Sequence, residues 1–331
     1  MAYWLRALEA MAQTLEPGDL TFYLVWDAAE GLPAPGPGAV VVGVIPESWQ
    51  AVSRWTDRVA VSFQAGGRRP RLHAAPSSVG LVPSTTARIL RARQMAREMA
   101  SAAGRLAGRR RTARRPAPVF DVPLGYHSRP SAEPLPILER PIDLSFAGSI
   151  SHWQGRWGRL QERLGAPKVR CRREMLQAVG RLRRNRPDLA VSTRVTGSFA
   201  ESSPFHGPPA EGHADEYWRL LSETKLCLVP GGTYECTYRH FEAMRSGCVI
   251  VTDTHPSGTY LRGAGTIALS RWDDLERAVL PVLDDDAELE RLGRASLECW
   301  RKRCSEEAVG RFMAERLNEL ARPRRGSTGC G

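Results

Sequence analysis

Arg239 and Glu242 stand three residues apart in "TYRHFEAMRSG", so on a helix they share one face. A planar guanidinium fork suits a phosphate, and a carboxylate one turn further in accepts hydrogen bonds from two vicinal hydroxyls of a ribose. Two readings stand at this level: a ligand-binding pair, or a mutual ion pair on a solvated face. Immediately before them, Pro230-Gly231-Gly232 interrupts the apolar run "LCLVP", Thr233 follows, and Thr237 sits where a helix N-cap belongs. Glycines let backbone N–H groups approach a ligand closely and a helix N-terminus carries partial positive charge, which together suit phosphate, although a plain turn has the same composition. The stretch matches neither the nucleotide-binding P-loop nor the dinucleotide glycine fingerprint.

These residues need elements to hold them. "LCLV" and "CVIVTD" read as buried strands on either side of the helix, and Phe241 and Met244 supply its opposite, apolar face. From residue 144 onward the order is regular: strand "LSFAGS", helix "RCRREMLQAVGRLRRNRP", strand "LAVSTRVTG", helix "DEYWRLLSET" opened by Asp215 and Glu216 and closed by Lys225, then the quoted strand, helix and strand. Strand-like "TIALS" and three helical stretches follow. Strands alternating with helices imply a parallel sheet covered on both faces.

The earlier half offers an amphipathic helix, strands in "LTFYLVWD", "AVVVGVIP" and "VAVSFQAG", a long helix over "TTARILRARQMAREMASAAGRLAG" and a short strand in "APVFDVPLGYH". The segment 129–143 holds four prolines without periodicity and reads as an extended connection. With 331 residues the chain fits two domains. The expected division is 1–128, an N-terminal Rossmann-like, acceptor-binding domain; 129–143, the connection; 144–321, the C-terminal ligand domain; and 322–331, a disordered tail.

"SETKLCLVPGG" followed by "TYRHFEAMRSGCVIVTD" resembles the nucleotide-sugar-binding core of exostosin-family glycosyltransferases, which carry a similar strand, Pro-Gly turn, Ser/Thr-x-Arg, Phe-Glu-Ala and Gly-Cys. "FDVPLGYH" is similar to that family's Asp-Val-x-Pro element, and "LSFAGS" to the strand opening its second domain. The resemblance implies an α/β chain of two Rossmann-like domains facing across a cleft, the GT-B glycosyltransferase architecture. It further implies transfer of a sugar from a nucleoside diphosphate sugar, with UDP favoured, to an acceptor hydroxyl, with inversion and without cofactor or metal. Carried over by residue, Arg239 neutralises the diphosphate, Glu242 binds the ribose, Thr237 supports the helix start, and Gly148 and Ser149 lie in the loop after the domain's first strand near the phosphates. Glu235 and Glu242 stand seven apart, one short of the glutamate spacing of many retaining enzymes.

Inversion needs a general base across the cleft. Asp27 ends the strand "LTFYLVWD" and is the first candidate, with His73 and His127 as reserves; Asp253, ending "CVIVTD", is placed to contact the sugar. A strand-terminal Asp is also a common turn residue or cap. The same Arg and Glu chemistry serves a GDP-sugar, as in a fucosyltransferase-like enzyme.

The net charge of +11 raises nucleic acid as a rival partner. Residues 105–115, "RLAGRRRTARR", carry six Arg and no acid. The run has no interleaved aromatics and no recognised nucleic-acid motif accompanies it, so a solvated loop explains it as well. Seven Cys lack zinc-ligand spacing and a disulfide pattern, no apolar run approaches a membrane span, and the opening residues lack the build of a signal peptide. The expectation is a cytoplasmic protein acting on a small soluble acceptor.

Overall fold

The computed structural model describes residues 2–26, 36–45, 58–66, 117–150, 167–196, 213–232, 234–254 and 260–321, together with Leu32, Ala34 and Ala96. The long helix expected near residues 85–108, the Arg run 105–115 and the tail 322–331 lie outside them.

Two parallel sheets organise the chain, as the α/β reading expects. The first has the order β1 (Thr21–Val25), β2 (Ala39–Gly43), β3 (Val61–Ala65) and β4 (Val119–Val122). Its middle strands, "AVVVG" and "VSFQA", are buried throughout, which is why they read as unbroken apolar runs and not as alternating ones. The second sheet contains β5 (Ile142–Ser149), β6 (Val191–Thr196), β7 (Thr224–Leu228), β8 (Val249–Thr252) and β9 (Thr266–Ala268), in the order β6-β5-β7-β8-β9. All of its pairings are parallel. The order reverses between β5 and β7, and open parallel sheets bind ligands at the carboxyl ends of the strands flanking such a reversal.

Seven α-helices accompany the sheets among the described residues: α1 (Ala2–Ala12), α2 (Pro167–Asn185), α3 (His213–Ser222), α4 (Tyr238–Arg245), α5 (Leu275–Leu283), α6 (Asp286–Cys299) and α7 (Glu306–Ala321). Lys225, expected to close α3, lies instead in β7 and pairs with Asp143 at 2.8 Å, because the helix ends at Ser222 and the chain turns at once into the strand.

The first and last helices pack on each other closely enough that a Cβ at Gly310 would lie 2.5 Å from Ala7 O. Tyr3 donates to Cys304 O at 2.7 Å and Tyr126 to Glu306 Oε1 at 2.5 Å, so both helices brace the segment that leaves β4. One apolar cluster runs from the first sheet through this bracket to Phe241 and Met244 of α4, and a second lies under β5 to β8 against α2 and α5. In the connection between the sheets Ile137 is buried, and Arg140 donates to the carbonyls of Leu135, Thr224 and Ser246.

Candidate functional site

The carboxyl ends of β5 and β7, the N-terminus of α4 and the first turns of α2 meet at the point where the second sheet reverses its order. Gly148 and Ser149 are the last two residues of β5, so they end the strand and do not lie in a loop after it. Gly148 has φ +147, and a Cβ there would fall 1.9 Å from Arg239 Nη2. The missing side chain is what lets the Arg239 guanidinium lie against the strand end. That guanidinium also stands 5.1 Å from the Phe146 ring centroid, a cation–π distance, while its Nε is buried without an acceptor.

Two further cations, which the motif reading missed, converge on the same strand end. Lys168 Nζ is 3.3 Å from Ser149 Oγ, and an Arg172 guanidinium nitrogen donates to Ser149 O. Both side chains are buried, and Arg172 Nε has no acceptor. Burial, with Arg172 and Arg239 nearby, pushes the Lys168 amine down to about 6. Burial and Arg239 likewise lower Arg172 to about 9. A signal for them exists in "PKVRCRR": cations at i and i+4 in the opening turns of a helix, the end where the dipole disfavours positive charge, with no acid in the first turn. Such a placement calls for an anion.

Asp253 follows β8 and faces this group. It is buried, its Oδ1 accepts from Gly231 N at 2.9 Å, and Gly231 O accepts from Cys171 Sγ at 2.9 Å. The Gly231 amide expected to face a ligand is thus already engaged by a carboxylate. Gly232 donates its N–H to Tyr234 O at 3.2 Å, and a Cβ on it would stand 3.0 Å from Thr237 Cγ2. Thr237 is the N-cap of α4, as its type suggests. Thr233 lies outside the described residues.

Glu242 is 4% exposed and both its oxygens accept from groups other than Arg239, which disposes of the solvated-face reading. One carboxylate oxygen accepts from Tyr217 OH at 2.6 Å and the other from His127 N at 3.1 Å. Burial raises its pKa, against the lowering effects of Tyr217, the His127 amide and Arg239. Each oxygen keeps a second lone pair for a hydroxyl. The segment after β4 is thereby tied to α3 and α4 together.

Tyr238 extends the contact toward the first sheet, its OH 3.3 Å from Val44 O just beyond β2 and its ring edge-on to His127 at 5.6 Å. His127 is therefore beside Glu242 and Tyr238, and burial pushes its imidazole down to about 4, leaving it a weak base. Asp27 and His73 lie outside the described residues. Among the described residues no three His, Cys, Asp or Glu side chains gather as a metal site would require, and no helix is long and apolar enough to cross a membrane.

Adding a methyl at Gly148 tests the seat of Arg239. The contacting atom is the end of a flexible side chain, so Gly148→Ala should displace the guanidinium rather than unfold the strand, and the positive φ adds about 1 kcal/mol or more of strain. Anion affinity should fall about tenfold, the worth of one charge-assisted hydrogen bond, with a melting point only modestly lowered. Calorimetry and thermal unfolding of the purified variant check both.

Residues 170–315 match the family described as glycosyl transferase-like. No curated protein matches the chain. Among solved structures, similarity extends to a GtfA/B complex, with 11% identity and TM-score 0.45 over 86% of this chain and 58% of that one. A sucrose-phosphate synthase from Thermosynechococcus elongatus shows 12% identity and TM-score 0.42, over 85% of this chain and 67% of that one. The pneumococcal O-GlcNAc transferase GtfA in complex with UDP and GlcNAc shows 12% identity and TM-score 0.42, over 87% of this chain and 58% of that one. The chain thus spans 58% of the length of two of these three and 67% of the other. At such scores the likeness carries nothing about donor or acceptor. The matched segment takes in Arg172, Arg239, Glu242 and Asp253.

Proposed function

We propose that this protein is a glycosyltransferase of the GT-B arrangement that moves a sugar from a nucleoside diphosphate sugar, UDP-linked by preference, to an acceptor hydroxyl. The observation that carries this is the convergence of Lys168, Arg172 and Arg239 on Gly148 and Ser149, with the Glu242 carboxylate one helical turn beyond Arg239. Three basic side chains gathered on one strand end, Lys168 and Arg172 of them buried, suit a multiply charged anion, and low access to water strengthens each contact. A diphosphate placed there brings its ribose toward Glu242, whose spare lone pairs face two vicinal hydroxyls.

In this reading the three cations and the start of α4 stabilise the departing diphosphate, the electrostatic work that a metal performs in other enzymes. Transfer proceeds with inversion, by attack of an acceptor hydroxyl from the face opposite the leaving group. Asp27, the carboxylate that closes the sequence run "LTFYLVWD", is the proposed general base. His127 and His73 are the reserves, and burial leaves His127 a weak base. Gly231, Gly232, Thr233 and Thr237 belong to the proposed nucleotide-sugar-binding set with Gly148, Ser149, Arg239 and Glu242, Asp253 contacts the sugar, and the acceptor is a small soluble molecule met by the first domain. The exostosin-type motif and the cytoplasmic setting belong to the same proposal.

Titration of the purified protein with UDP and with GDP, each with and without magnesium, tests it. Micromolar binding of UDP independent of metal supports the reading; preference for GDP moves the donor to the fucosyltransferase-like class; no binding of either removes the assignment. Asp27→Asn should lower turnover at least about a hundredfold while nucleotide affinity stays the same. Unchanged turnover would take Asp27 out of the mechanism.

A further inference from the structure

His240 is 1% exposed and directly follows Arg239 in α4. Its Nδ1 accepts the Thr237 backbone N–H at 3.2 Å, so Nδ1 is the unprotonated nitrogen and Nε2 carries the hydrogen. The ring thereby holds the place that Glu or Gln takes in an ordinary capping box. Nε2 is 3.4 Å from Thr254 Oγ1 and 3.5 Å from Thr252 Oγ1, and those two hydroxyls are 2.9 Å apart. Thr254 N also donates to Thr252 Oγ1 at 3.2 Å, which closes the turn around Asp253.

We propose that His240 is a positioning residue for the anion: its ring ties the start of α4, which carries Arg239, to the turn Thr252–Thr254, which carries Asp253. A Glu or Gln in a capping box satisfies the helix start alone. A planar ring with two divergent nitrogens satisfies the helix start and spans to the neighbouring strand end as well. Through Asp253 the tie extends to Gly231, whose amide that carboxylate holds. The His240 ring thus helps to hold the two walls of the site, the Arg239 wall and the Gly231 wall, at one spacing. Preorganised spacing is what a bidentate anion rewards.

The proposal rests on the nucleotide-binding reading above, and the test separates the two. His240→Asn keeps an acceptor near the place of Nδ1 for the Thr237 amide but is too short to reach Thr252 or Thr254. It should fold with a melting point close to the wild type, bind UDP about tenfold more weakly, and bind uridine, read by ligand-observed NMR, as the wild type does. His240→Gln, which caps the helix start as in an ordinary capping box but does not span to Thr252 or Thr254, should lose UDP affinity as His240→Asn does. His240→Asn binding UDP as tightly as the wild type overturns the proposal. An equal loss for UDP and uridine overturns it too, because that is the signature of a merely structural role. Failure of the wild type to bind UDP or GDP removes the nucleotide reading itself and this inference with it.

Discussion

Replacing Glu242 by Ala is expected to abolish useful nucleotide binding and to destabilise the fold at the same time. The carboxylate accepts from Tyr217 OH and from His127 N, both in a buried setting. Removing it strands two donors, each at about 1–3 kcal/mol, so unfolding free energy should fall by about 3 kcal/mol. Binding loses two charge-assisted hydrogen bonds to ribose, about a hundredfold or more in affinity. Stability loss alone does not prove a ligand role, so 2′-deoxy-UDP supplies the second reading. The wild type should bind it about tenfold more weakly than UDP. Glu242→Gln, which keeps the shape and one good acceptor, should remain folded and lose that discrimination. Equal wild-type affinity for the two nucleotides would leave Glu242 as a strut between the segment after β4, α3 and α4.

Lys168 should make nucleotide binding depend on pH. In the free protein, burial and then the Arg172 and Arg239 guanidinium groups hold its amine near 6, so above that pH it is mostly neutral. The groups around it include Arg172 and Cys171 on its own helix, Arg239 on α4, the Ser149 hydroxyl, and Asp253, which acts on Arg172 and Cys171. A diphosphate offsets the repulsion and raises the amine's pKa, so binding draws in a proton. Affinity should then fall as pH rises above about 6, by up to about tenfold for each pH unit, until the bound-state pKa is reached. The stability of the ligand-free protein runs the other way. Between about 6 and the ordinary 10.5 the unfolded chain holds the proton that the folded chain refuses, so stability rises with pH across that window. Calorimetry at pH about 7.5 in buffers of different ionisation heat should show up to one proton taken up per nucleotide. Lys168→Met should bind more weakly with no uptake. Binding by the wild type without proton uptake would mean that the amine is already charged before the ligand arrives.

Composition and spacing alone laid down the local grammar of the second sheet. Apolar runs bounded by Gly, Pro and Asp became β5, β7 and β8, and the spacing in "TYRHFEAMRSG" placed Thr237 as N-cap, Arg239 in the first turn and Phe241 and Met244 inward. These are short-range effects, set by periodicity and by capping chemistry a few residues away. Which distant groups share the site was settled by the packing of the sheets and helices. Lys168 and Arg172 precede Arg239 by some 70 residues, and nothing local marks them as partners until β5 and β7 lie side by side. The two occupied oxygens of Glu242 depend on Tyr217 and on a backbone N–H just past β4, and Gly148 reveals its purpose only when a guanidinium fills the space of its missing side chain. A motif fixes which side chains a helix can offer; the crossing of strands far apart in the chain fixes what they face, because burial and charge repulsion act through space and not along the backbone.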